Sequence, residues 1–110
     1  MTYQHKGLKN GGWNKLSLME QMANIGSEVE RAIKWRDRNK NYSKMAFHRA
    51  LELLEITIDD KKNLFRLKEI IRVYEVLVDF FAGENKYKSS DLSWKHYFYP
   101  YNFAVRTNRL

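Results

Sequence analysis

Apolar residues in this chain return at steps of three and four, and that spacing excludes most folds before composition is considered. Leu18, Met22, Ile25, Val29 and Ala32 are separated by 4, 3, 4 and 3 residues, the period of one face of an α-helix. Met19, Ala23, Gly26 and Ile33 widen that face to two seams, and the segment reads as helical to about Arg38. Ser17 and Glu20 at its start fit a capping box, in which the serine oxygen accepts a backbone N–H and the glutamate reaches back to the cap. A glycine inside a helix costs roughly 1 kcal/mol against alanine, so Gly26 in the seam points to a close helix crossing.

Asn39-Lys40-Asn41 supplies a turn, after which Phe47, Leu51, Leu54 and Ile58 mark a second helix from about Tyr42 to Ile58. Asp59-Asp60 offers the cap of a third, which ends at Ala82 before Gly83. Its stripe is expected to be Leu64, Leu67, Ile71, Tyr74, Val78 and Phe81. The β-branched run within it could pass for a strand, but Lys68, Arg72, Glu75 and Asp79 are spaced 4, 3 and 4, not 2. Because this third helix is apolar on most sides, it must be either central or part of a subunit interface. A fourth helix takes in Leu92, Trp94, Phe98, Tyr101 and Val105, and Pro100 predicts a kink or break in it. The expected fold is all-α, a four-helix bundle with antiparallel neighbours.

A chain of 110 residues suits one domain. Residues 1–16 hold three of the five glycines and no sustained period, so they read as an arm, partly ordered if Trp13 and Leu16 dock. Residues 17–110 form the helical domain. The absence of cysteine excludes disulfides, zinc ribbons and a thiol nucleophile. No segment approaches the ~20 apolar residues of a membrane span. No apolar run follows the basic N-terminus, so no secretory signal is visible and a cytoplasmic protein is the default reading.

The stretches Ser17–Ala32 and His48–Asp59, with Val76–Gly83 and Tyr97–Arg106, resemble a group of small prokaryotic helical proteins to which no activity is attached. The resemblance covers most of the chain. It implies a helical fold and a prokaryotic source, and it supplies no catalytic residue.

Motifs that carry chemistry are scarce. No Asp or Glu is followed three residues on by His, as a di-iron bundle needs. His48, Glu52 and Glu55 share a helical face and could hold a metal or a base, but a solvated face with a His–Glu contact is the simpler reading. No serine lies in a nucleophile turn and no glycine pattern cradles phosphate. An enzyme, a cofactor and a metal site are therefore not expected. The acidic residues read as surface pairing, as in Glu30–Lys34 and Glu69–Arg72.

Charge and aromatic content remain. The net charge of +7 is concentrated around the first turn, where Lys34, Arg36, Arg38, Lys40, Lys44 and Arg49 are interleaved with Trp35 and Tyr42. Cations that neutralise phosphate, with rings that stack on bases, suit single-stranded nucleic acid. The same cations could instead complement a helix dipole. Val73, Val76, Leu77, Phe80, Trp94, Tyr97, Tyr99 and Tyr101 are the candidate interface, since a helix turns only about half of such rings inward. The leading expectation is a non-enzymatic interaction module, a homo-oligomer or one half of a protein complex. The alternative is an accessory protein that binds RNA or single-stranded DNA.

Overall fold

The computed structural model describes residues 12–108. The first eleven residues of the expected arm lie outside the described residues. Four helices account for most of the remainder: α1 (Leu18–Trp35), α2 (Lys40–Asp59), α3 (Leu67–Ala82) and α4 (Asp91–Asn108). Short 3-10 helices occupy Trp13–Lys15 and Lys61–Arg66, and there is no strand among the described residues.

The first helix begins as its sequence requires. Ser17 Oγ accepts the Glu20 N–H at 3.1 Å and the Glu20 carboxylate accepts the Ser17 N–H at 3.0 Å, satisfying two of the free donors at the helix start. Asn39 caps α2 in the same manner, its side-chain oxygen accepting from Asn41 and Tyr42. Asp60 caps the 3-10 helix that precedes α3, not α3 itself.

The core lies where α1 meets α2 and α4. Met22, Ile25 and Val29 of α1, Leu54 of α2 and Leu77 of α3 are almost wholly removed from water. Burial of each such side chain is worth about 1.5–3 kcal/mol. Gly26 serves the close crossing its position implies: a Cβ there would stand 2.8 Å from Cγ and Cδ1 of Phe98 on α4.

Helix α1, rather than α3, is the central element, with α2 and α4 both packed along it and α3 packed on α2. The expected stripe of α3 is also displaced. Ile70, Val73 and Leu77 are its buried positions, whereas Leu64 and Ile71 are exposed. Leu64 falls outside α3, within the 3-10 helix Lys61–Arg66. Its tighter winding of about three residues per turn rotates the start of the segment out of phase with a continuous α-helix.

Pro100 does not break α4, which continues uninterrupted to Asn108. The proline removes the donor that would pair with the His96 carbonyl. Both residues are exposed, so water can take that carbonyl and the helix survives.

Polar residues fasten the entry of the chain to this body. Trp13 is buried, and its indole N–H donates to Thr57 Oγ1 at 2.9 Å while its carbonyl accepts from Gln21 Nε2 at 3.1 Å. Gln21 also donates to Asp60 and accepts from Asn63, which donates in turn to the Thr57 carbonyl. The expected docking of Trp13 is therefore a hydrogen-bonded clasp as well as an apolar contact. Burial alone would raise the Asp60 pKa, but bonds from Lys62 and Gln21 hold it below the usual carboxylate value.

The α3–α4 loop is equally ordered by local bonds. Asp79 accepts the N–H groups of Lys86 and Tyr87 at 2.8 and 3.0 Å instead of pairing with a neighbouring cation. No helix of the described residues is long and apolar enough to cross a membrane.

Candidate functional site

The basic turn divides into two chemically different sets. Arg36 makes a bidentate pair with Asp91 at the start of α4, at 3.0 and 2.8 Å, and its guanidinium carbon lies 5.8 Å from the Phe80 ring centre. The hydrogen bonds to Asp91 raise its pKa further. Arg49 donates to Glu28 at 3.0 Å, beside Arg31 on the same carboxylate. These arginines tie helices together.

Lys34, Arg38, Lys40 and Lys44 are exposed, and none forms an ion pair among the described residues. Tyr42 is 55% exposed, whereas Trp35 is half-buried and meets Tyr42 edge to face at 5.7 Å. Lys34 Nζ lies 5.8 Å from the Trp35 ring centre. Of the eight residues read from the sequence as a nucleic-acid surface, four cations and one ring thus remain available to a ligand.

Beside this end is a hollow of about 380 Å³ between the first turns of α2 and the end of α3. Lys40, Lys44 and His48, one helical turn apart, form one wall, and Arg36 stands at the junction with α1. Phe47, Phe81 and Ala82 make its apolar part. The Phe47 and Phe81 rings are 5.1 Å apart, so the sequence spacing that marked Phe47 as core also placed it beneath this hollow.

The candidate interface residues also divide. Val73, Leu77, Trp94 and Tyr101 are buried in the monomer and are withdrawn from any exposed surface by their own packing. Val76, Phe80 and Tyr97 are half-buried, and of the eight only Tyr99 is exposed. The exposed apolar side of α4 is formed instead by Leu92, Tyr99 and Phe103, the last two stacked at 6.2 Å. Leu92 and Tyr99 border a groove of about 1,050 Å³ between α1 and α4, with Val29 and Phe98 deeper in it. Sequence periodicity placed Leu92 in the stripe of the fourth helix, because an exposed leucine on a helix leaves the same pattern as a buried one.

Half-buried Tyr97 and buried Tyr101 converge on Glu69. Its carboxylate accepts from Tyr97 at 2.7 Å, from Tyr101 at 3.0 Å and from Arg66 at 2.8 Å. The sequence pairing with Arg72 is thus replaced by Arg66, one turn in the other direction. Burial tends to raise the Glu69 pKa, but the three donors outweigh it and the result lies below normal. The Tyr97 hydroxyl is pushed well above its ordinary range by burial and by the carboxylate it donates to. This cluster locks α4 onto α3.

His48, Glu52 and Glu55 do not converge. Glu52 is buried, Glu55 accepts from the Tyr74 hydroxyl at 3.1 Å, and His48 packs against Phe47. Among the described residues, no group of three or more metal-ligating side chains could hold an ion.

No protein-family model, curated protein or solved structure matches the chain.

Proposed function

We propose that this chain is a non-enzymatic helical module that self-associates, with the outer face of α4 as its contact surface. The observation that carries this reading is the exposure of Leu92, Tyr99 and Phe103, at 58, 56 and 51%, along one helix beside a deep groove. Soluble monomers rarely leave large contiguous apolar surface open to water, and aromatic residues concentrate at interface centres. Glu30 and Asp91 at the groove edge, with Arg31, Lys34 and Lys95, provide both signs of charge for a self-complementary rim. Light scattering of the wild type and of Tyr99→Asp/Phe103→Asp tests it: a loss of the oligomer in the variant supports the reading, and a monomeric wild type at high concentration removes it.

A second reading rests on the four exposed cations around Tyr42. Lys34, Arg38, Lys40 and Lys44 form a cationic end suited to a single-stranded nucleic-acid backbone, with Tyr42 able to stack. Binding to oligo(U) that weakens steeply with salt supports it. Absence of binding at ~50 mM salt, where such contacts are strongest, excludes it.

A further inference from the structure

We propose that the hollow between α2 and the end of α3 is a binding site for a nucleoside phosphate. The phosphate would sit on Lys40 and Lys44, and the base on Phe81. This inference stands apart from self-association through α4 and does not depend on it.

Lys40, Lys44 and His48 recur every four residues on α2, so their side chains project from one face, and Arg36 adds a further cation from the end of α1. No carboxylate lines the hollow. Arg36 is committed to Asp91 and lies over the Phe80 ring, so it adds positive potential at the rim rather than a free donor. Lys40 and Lys44 have no such partner among the described residues. Anion recognition here is by side-chain charge, because Asn39 already occupies the Asn41 and Tyr42 N–H groups at the start of α2.

The floor narrows the ligand. A site for inorganic phosphate or a polyanion alone has no use for Phe47, Phe81 and Ala82. Phe47 is buried, but Phe81 keeps part of its ring open beside the cations. A ligand that satisfies both parts carries a flat apolar group next to one or more phosphates. The volume of about 380 Å³ falls in the range of small-molecule pockets and is suited to a single nucleotide. Ser43 completes the wall, its hydroxyl committed to the Ala32 carbonyl at 2.6 Å, which leaves its oxygen as an acceptor for a ligand donor.

A nucleotide can arrive free or as one unit of a strand, and the two sources are separated by the probe. Binding of ADP, adenosine, inorganic pyrophosphate and a ten-residue oligo(rA) is measured by ligand-observed NMR and equilibrium dialysis. The variants are Lys40→Glu/Lys44→Glu, Ala82→Glu, and the remote exposed control Lys61→Glu/Lys68→Glu. ADP is expected to bind at least about tenfold more tightly than adenosine or pyrophosphate, because only ADP uses both the cations and the ring. Lys40→Glu/Lys44→Glu and Ala82→Glu should each weaken ADP by about tenfold or more, and the control by less than about twofold. Oligo(rA) that binds more tightly than ADP, and is displaced by it, identifies a nucleotide within a strand. Oligo(rA) that binds more weakly identifies a free nucleotide, and in that case the site stands even though the strand reading fails. ADP no tighter than pyrophosphate overturns the proposal, as does equal damage from the control, which would reveal attraction to net charge alone. Far-ultraviolet circular dichroism confirms that each variant remains helical.

Discussion

Gly26 on α1 and Phe98 on α4 are in contact so close that one side chain occupies the space the other residue would need for a Cβ. Three atoms of Phe98 (Cγ, Cδ1 and Cβ) lie within 2.9 Å of that point. The crossing of the two helices is therefore set by the absence of an atom.

Gly26→Ala is accordingly expected to destabilise the fold, although alanine favours the helix itself by roughly 1 kcal/mol. Overpacking against a buried ring costs about 1–3 kcal/mol, and the clash outweighs the propensity gain. Urea denaturation should give a lower midpoint for Gly26→Ala. With the ring removed, Gly26→Ala should cost less in a Phe98→Ala background than in the wild type, a coupling that independent sites would not display.

Trp13 is expected to contribute to stability in two separable parts. Trp13→Phe removes the indole N–H and leaves Thr57 Oγ1 without that donor, at a cost of about 1–2 kcal/mol. Trp13→Ala also opens a cavity beside the core and should cost about 3–5 kcal/mol. Equal effects from the two variants, measured by denaturant titration, would contradict separate contributions from the indole bond to Thr57 and the packing of the ring.

Acid should loosen the α3–α4 lock. Glu69 and Asp60 both have folded-state pKa values below their ordinary 4.5 and 3.8. Their contribution is thus complete above those ordinary values and is lost as the pH falls through the lower, folded-state ones. The melting temperature is expected to drop between about pH 5 and pH 3, and to drop less in Glu69→Gln. At neutral pH Glu69→Gln should cost only about 1 kcal/mol, since the carboxylate is 40% exposed and the tyrosine hydroxyls can still donate to an amide oxygen. An unchanged pH dependence in Glu69→Gln would exclude this carboxylate as its source.

Much of the fold was legible because helices announce themselves by period. The Ser17–Glu20 capping box, the α1 face and the close crossing at Gly26 follow from residue spacing and are present in the structure. What period cannot carry is phase. The 3-10 helix at Lys61–Arg66 took Leu64 out of the stripe, and within α3 the buried positions are Ile70, Val73 and Leu77. Nor does period say which apolar residues find a partner. Trp94 and Tyr101 went inward while Tyr99 and Phe103 stayed in water, a division set by the position of α1 and α3. The basic turn was legible as a charge excess. Its separation into structural Arg36 and Arg49 and available Lys40 and Lys44 depends on Asp91 and Glu28, distant in sequence.

The central claim, self-association through the outer face of α4, is tested most directly by sedimentation equilibrium across a concentration series. The account predicts a species of at least twice the 13.3 kDa chain mass for the wild type. It predicts a folded monomer for Tyr99→Asp/Phe103→Asp, because a charge at each ring would have to be desolvated in the contact. A wild type that remains at the mass of one chain up to ~1 mM, which implies any contact is weaker than about −4 kcal/mol, would contradict it. So would an oligomer that the double substitution leaves intact.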